Sequence, residues 1–330
     1  MMNNPVVLTE KNTTYGIQFV DYFSYVNGPK VPIYEVSTMN ALNQIIGHAK
    51  FGNRHYGNVY YRGVTELYNN ALPSIFRNRV SGKASDLRKI INTIFKDPYF
   101  QGSLKVKPVQ YNTKLTNNYL INTTNRNTKY IIEGLIQHYS GNTRFLDVVD
   151  NHWVALWMGL HKCQSLGRGN RYCRYDRRMI PVQDFLVNYT SPSIDSNLSV
   201  DSVDNQAYLY VLLLAMPEVC NSIVPGIKES DNLVEVDLRR VLPSVYVRPH
   251  AQHALVVRKR DGELATDYDM SSQIVGILKI RLDYAALWLG NGTLLTQDNL
   301  FPPPAVDQGY DNLLQKKVVF SHPFEIIHYF

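Results

Sequence analysis

Residues Tyr130–His161 read YIIEGLIQHYSGNTRFLDVVDNHWVALWMGLH. Ile131, Leu135 and His138 recur at helical spacing up to Tyr139, and Val154, Ala155, Leu156, Trp157, Met158 and Leu160 make Asn151–His161 apolar almost all round. Two helices are therefore expected, the second the most buried of the chain, with Asp147 and Asp150 placed as its N-terminal caps. Between them Ser140-Gly141-Asn142 is a polar turn, and Gln137 to Asp147 packs an imidazole, a phenol, a hydroxyl, a guanidinium and a carboxylate together. A segment this apolar at both ends is no floppy surface loop, so each of those groups needs a partner. Arg144 and Asp147 either pair and lock the turn or face a ligand, and His138 and Thr143 are the freer ligand candidates.

Working outward toward the N-terminus, Tyr15 to Phe23 alternates as a strand, and Met39, Leu42, Ile45, Ile46 and Ala49 mark a helix behind Ser37 and Thr38. Asn58 to Gly63 is a short β-branched and aromatic strand whose last side chains are expected at a sheet edge, and Leu87 to Phe95 is a helix capped by Ser85-Asp86. Asn112 to Lys129, rich in Asn and Thr, is expected to be irregular. Toward the C-terminus, strands are expected at Tyr208–Leu214, Leu233–Val236, Ala254–Val257 and Ile274–Ile280, then helices at Asp283–Leu289 and near Asn312–Gln315. The sum is an α+β fold, a mixed and mainly antiparallel sheet with flanking helices. Residues 1–50 are read as an N-terminal strand and helix extension to a domain spanning 51–330, with the Ser/Asp/Asn-rich 191–206 linker as the best internal boundary.

Composition narrows the function classes. The chain has 330 residues, 45% of them hydrophobic, which excludes whole-chain disorder. A net charge of +6 and a pI near 9.0 permit a polyanionic or phosphate-bearing partner without requiring one. Arg168, Arg171, Arg174, Arg177 and Arg178, broken by Tyr172 and Tyr175, form either a solvated loop or a groove for RNA or DNA. Cys163, Cys173 and Cys220 are odd in number and lack CxxC spacing, so neither a disulfide framework nor a zinc site is expected, which fits a reducing compartment. The N-terminus lacks a signal-peptide pattern, and the apolar run Ala207–Met216 is half of what a membrane helix needs, so a soluble cytoplasmic protein with no membrane partner is expected. His250-Ala251-Gln252-His253 lacks the spacing and glutamate of a zinc hydrolase, and no GxxxxGK[ST], GxGxxG or GxSxG motif occurs, so no metal is expected.

Three polar elements stand against apolar structure in a way a core would not choose. Tyr61-Arg62-Gly63 closes a hydrophobic strand with five guanidinium donors and a glycine that lets a ligand approach the backbone. Gln137 to Asp147 is the second. In the third, Val247 to Val257, Gln252 is placed to present its amide beside a strand. In this order they resemble the FRG-domain family, named for a Phe-Arg-Gly motif matched here with Tyr61 for Phe. Leu72 to Arg77 is similar to the family's Leu-x-Pro-Ser-x-x-Arg, and the central stretch keeps Gln137, His138, Tyr139, Thr143, Arg144, Leu146, Asp147, Asn151, Ala155 and Leu156. It departs at Ser140, Asn142, Phe145 and Val148-Val149. Arg248, Ala251-Gln252 and Leu300-Phe301-Pro302 resemble later family elements.

That resemblance, together with a weaker one to ADP-ribosyltransferases, implies an ADP-ribosyltransferase-like fold with NAD as substrate. It implies Tyr61, Arg62, Gly63, His138, Tyr139 and Thr143 as NAD-binding residues, and Arg62, His138, Thr143, Arg144, Asp147 and Gln252 as catalytic ones. In this scheme Arg62 binds pyrophosphate, His138 orients ribose, Thr143 and Arg144 line the nicotinamide end, and Gln252 stands where those enzymes place an acid. A glutamine cannot offset cationic charge, so Glu133, Asp147 or Glu235 would have to contribute. The expected role is a toxin or effector of bacterial or phage defence that modifies a macromolecule, nucleic acid favoured over protein, with a cognate antitoxin. The alternative is a non-catalytic module that binds a nucleotide or RNA.

Overall fold

The computed structural model describes residues 4–77, 126–139, 143–166, 172–180, 207–218, 224–260, 262, 264–315 and 328–329. In chain order the elements are β1 (Ile17–Ser24), β2 (Lys30–Val36), α1 (Met39–Gly52), β3 (Gly57–Val64), α2 (Ser74–Arg77), α3 (Arg126–Tyr139), β4 (Leu146–Val149) and α4 (His152–Leu160). Then follow β5 (His161–Leu166), β6 (Tyr172–Arg177), β7 (Tyr208–Pro217), β8 (Ile227–Glu229), β9 (Leu233–Asp237), α5 (Leu238–Val241) and α6 (Val247–Ala251). The described chain ends with β10 (Ala254–Lys259), β11 (Ile274–Arg281), α7 (Leu282–Trp288), α8 (Gln297–Leu300), α9 (Gln308–Gln315) and β12 (His328–Tyr329).

Nine strands form one sheet in the order β1-β2-β11-β7-β3-β4-β10-β9-β8, antiparallel except where β11 runs parallel to β2. The fold is α+β, as expected. Residues 1–50 supply β1 and β2 to this same sheet, and most of α1, whose buried face packs in the same core. β3 is not an edge strand as expected: it lies mid-sheet, paired along its length with β7 from Gly57↔Pro217 to Val64↔Tyr210. Its junction with β4 is far thinner, a single pair, Tyr61↔Val149.

Side chains alternate across the sheet and so feed separate cores. On one face α1, α4 and α7 cover β2, β3, β7 and β11, burying Leu42, Ile45, Tyr61, Leu156, Trp157 and Leu213. On the same face α3 and the segment around α5 cover β9 and β10, burying Ile131, Leu135, Phe145, Val236, Leu238 and Val256. The opposite face buries Tyr60, Leu146, Val148, Leu212, Leu255 and Ile277. The apolar run ending at Met216 is thus β7, an interior strand buried on both faces. No described helix is long and apolar enough to cross a membrane.

Several elements depart from expectation. α3 begins at Arg126, inside the stretch expected to be irregular, because Tyr130, Ile131 and Leu135 have a core to bury against. Asp147 and Asp150 do not cap α4: the cap is Asn151, whose side chain accepts from the Trp153 N–H at 2.9 Å, and Asp147 lies on β4, a strand too short for an alternation signal. β2 was also unforeseen. The basic stretch contributes the β5–β6 hairpin, from which Arg178 folds back to donate to the carbonyls of Gly159 at 3.1 Å and Tyr208 at 3.0 Å. Arg178 therefore anchors the fold, while Arg177 is exposed, Arg174 lies on β6, and Arg168 and Arg171 fall outside the described residues. Also outside them are the 85–95 helix, the 140–142 turn and the 191–206 linker. Cys163 is disulfide-bonded, against the expectation drawn from the number and spacing of the cysteines.

Candidate functional site

The site lies where the sheet parts. An unbroken β3–β4 ladder would continue from Tyr61↔Val149, but Arg62, Gly63 and Val64 of β3 and Leu146, Asp147 and Val148 of β4 line a cavity of about 470 Å³ instead. Gly63 explains how tightly one wall is built. A Cβ at this position would sit 1.7 Å from the Ala155 carbonyl oxygen of α4 and 2.7 Å from the Gly159 nitrogen, so the glycine admits the helix backbone rather than a ligand. This corrects the role expected of it. The same close approach brings Ala155 and Met158 of α4 to the cavity.

Arg62 is half-buried and donates from Nη1 to the Asp147 carbonyl at 2.6 Å, capping a main-chain acceptor that the broken ladder leaves without a strand partner. Burial first, and the neighbouring Arg77 guanidinium second, depress Arg62 to about 10, with Asp147 opposing them. It stays cationic at neutral pH. Burial pushes the Asp147 carboxyl above its ordinary range despite Arg62, the Gln137 amide and Arg77. Arg77, on α2, is exposed and lines the same cavity.

A relay of hydrogen bonds fixes the carboxylate from behind. The Phe145 N–H donates to Thr143 Oγ1 at 3.1 Å, the Thr143 hydroxyl to Gln137 Oε1 at 2.7 Å, and the Gln137 amide to Asp147 Oδ2 at 2.5 Å. Thr143 is fully buried and does not line the cavity, so it positions Asp147 through Gln137. Arg144 is likewise behind the wall. Its Nε and Nη2 grip the buried Glu133 at 2.9 and 2.6 Å, and its main-chain N–H adds a third bond at 3.0 Å. The Arg144–Asp147 pairing considered from sequence is replaced by Arg144–Glu133, because α3 carries Glu133 across from the turn. Despite burial, Arg144 and then Arg258 hold Glu133 below its usual range.

His138 lines the cavity, and its buried Nε2 has no hydrogen-bond partner among the described residues. Burial, then the Arg248 guanidinium, lower it to about 3, so the imidazole is neutral at physiological pH. Because the unfolded state takes up this proton near pH 6.5 and the folded state does not, stability falls as pH drops below about 6.5 and levels off only near 3. We expect melting temperature to decline across that window and the decline to be shallower in His138→Asn; an unchanged slope would refute the assignment.

Behind His138, Arg248 lies over the rings of Tyr139 and Tyr310 at 4.5 and 4.7 Å and donates to the His138 carbonyl at 3.3 Å. Tyr139 is buried and donates to Asp307 at 2.5 Å, outside the cavity. Gln252 does reach the cavity, but its amide nitrogen is engaged by the Leu300 carbonyl at 2.7 Å, leaving Oε1 as the acceptor on offer. The opposite wall is aromatic, with Phe301 stacked on Tyr175 at 4.4 Å.

Of the residues expected from sequence, Tyr61, Arg62, Gly63, His138, Asp147 and Gln252 share this cavity, and Tyr139, Thr143 and Arg144 stand behind it. Of the three candidate acids only Asp147 reaches it, since Glu133 is held by Arg144 and Glu235 by Tyr60 at 2.7 Å and Lys228 at 3.1 Å. Arg77, Gln137 and Phe301 were missed as site residues, although each stood in a motif of the resemblance. Among the described residues no group of His, Cys, Asp and Glu could hold a metal ion.

A second cavity of about 410 Å³ adjoins the first, and the two share Arg62, Val64, Tyr68, Arg77 and Leu146. Both guanidinium groups therefore stand at the waist between two lobes.

Residues 57–165, about a third of the chain, match the family model of the FRG domain. The stretch that matches the FRG-domain model supplies β3, β4, α3 with Gln137 and His138, and both guanidinium groups of the waist. No curated protein and no solved structure matches the chain.

Proposed function

We propose that the first cavity binds NAD and that the protein transfers ADP-ribose to a macromolecular acceptor, as a toxin or effector in bacterial or phage defence. The observation that carries this reading is the placement of two guanidinium groups beside one partly buried carboxylate and a neutral imidazole in a single cavity. Arg62 and Arg77 suit a pyrophosphate, whose oxygens accept from planar donor forks. His138 Nε2 and Gln252 Oε1 suit the ribose hydroxyls and the nicotinamide amide.

In the reaction the bond between ribose C1′ and the nicotinamide nitrogen breaks, its electron pair leaves with neutral nicotinamide, and cationic charge develops on the ribose. Asp147, held by Gln137 and Thr143, is the acid available to offset that charge. The acceptor nucleophile then bonds to C1′ and releases its proton to solvent. Nucleic acid remains the favoured acceptor on overall charge, with a cognate antitoxin as partner, although Arg178 is already committed to the fold.

The test is transfer of label from NAD to cellular RNA, DNA or protein. We expect transfer by the wild type, loss in Arg62→Ala, and a fall of roughly 10²–10³-fold in Asp147→Asn. Since only the ionised carboxylate offsets the cation, activity rises with pH across a carboxylate range displaced upward by burial, and Asp147→Asn removes that limb. Wild-type binding of NAD without turnover would overturn the transferase reading. It would favour a second one, a non-catalytic nucleotide- or RNA-binding module. One observation supports that alternative: no glutamate reaches the first cavity among the described residues, and the late polar residue that does reach it is Gln252, an amide and not an acid.

A further inference from the structure

We propose that the second cavity is a purine-nucleoside subsite, so that the ligand class of the site is a dinucleotide lying across the Arg62–Arg77 waist with its adenosine in this second lobe. The proposal rests on the reading of the first cavity as the nicotinamide-ribose side.

The lobe has the lining a purine needs. Leu67, Leu72 and Leu212 supply apolar wall, and Tyr25 and Tyr68 add aromatic lining, Tyr68 being 52% exposed at the border of both lobes. Asn69 and Asn70 border it with side-chain amides that have no hydrogen-bond partner among the described residues. A carboxamide offers one donor and one acceptor side by side, the complement of the amino group and ring nitrogen on an adenine edge. Glu66, whose carboxylate accepts from the Tyr68 hydroxyl, is the acceptor available for ribose hydroxyls.

This wall is anchored at both ends. The Val26 N–H donates to the Asn69 carbonyl at 2.9 Å. The Ala71 N–H donates to Asp269 Oδ1 at 2.9 Å and Ser271 Oγ at 3.1 Å, both residues being buried, and the Ala71 carbonyl accepts from Met270 at 3.1 Å. The segment from Glu66 to Leu72 therefore presents a preformed surface, which lowers the ordering cost of binding. Two lobes flanking two cations match a molecule with two nucleosides flanking two phosphates, whereas a lone phosphate would leave both lobes without a complement.

Calorimetry on the full chain with ADP, nicotinamide mononucleotide, inorganic pyrophosphate and NAD tests this. We expect ADP and NAD to bind, and the double variant Asn69→Ala/Asn70→Ala to weaken both by roughly tenfold while leaving nicotinamide mononucleotide unchanged. Leu67→Trp, which fills the lobe, gives the same pattern; the exposed asparagines guard against reading misfolding as lost binding. ADP binding no tighter than pyrophosphate, or unchanged in both variants, overturns the subsite. The two proposals fail separately. ADP binding lost in the variants, with NAD never consumed by the wild type, keeps the subsite and ends the transferase; NAD consumed with KM unchanged in both variants does the reverse.

Discussion

Gly63→Ala is expected to leave little folded protein at 37 °C. The added methyl would stand 1.7 Å from the Ala155 carbonyl oxygen, and that oxygen belongs to helix backbone, not to a side chain that can swing away. Overpacking a core costs about 1–3 kcal/mol where side chains can adjust. Here the helix itself must retreat from β3, separating Tyr61 and Val59 from Leu156 and Leu160 within one core, so the cost sits at or above the top of that range. Urea denaturation followed by tryptophan fluorescence is the measurement. A midpoint equal to that of the wild type would show that the strand and helix are not in this contact.

Glu133→Gln should be nearly as severe, for an electrostatic reason. The glutamine keeps the volume but removes the charge that offsets Arg144, whose guanidinium and main-chain N–H both bond to this carboxylate, and Arg258 lies near enough to depend on it as well. Removing one partner of a buried ion pair costs about 3–5 kcal/mol, because the remaining charge stays out of water unpaired. A double substitution, Glu133→Leu with Arg144→Met, removes both charges of the pair and leaves only the residue-144 main-chain N–H without its acceptor, and is expected to be less destabilising than Glu133→Gln alone. The reverse order of denaturation midpoints would mean that this pair is not the turn's main restraint.

These two residues show where sequence is informative and where it stops. The strands β7, β9, β10 and β11 and the helices α1, α4 and α7 are legible because each has a face, or two faces, to bury and flanking turn residues to bound it. β4 is only four residues long, and its assignment depends on β10 lying beside it, from Ala254↔Val149 to Val257↔Leu146, a fact with no local signature. The polar block from Gln137 to Asp147 was visible as a cluster of groups needing partners. Which partner each found was not, since Arg144 turns to Glu133 on the preceding helix and Thr143 to Gln137. Arg77 carries no local signal of a ligand contact, because it sits at the end of a one-turn helix with no apolar pattern to make its charge conspicuous.

The single backbone contact between β3 and β4 has a mechanical meaning. Each half has its own helices on one face, whereas the apolar layer on the other face runs across the seam, with Tyr60 and Leu212 in one cluster with Leu146, Val148 and Leu255, so side-chain packing rather than a backbone ladder joins the halves there. A molecule held by Arg62 and Arg77 on one side and by Asp147 and His138 on the other would add polar rungs along the line where the backbone ladder is missing. Occupancy would then be felt as rigidity along the β3–β4 seam itself.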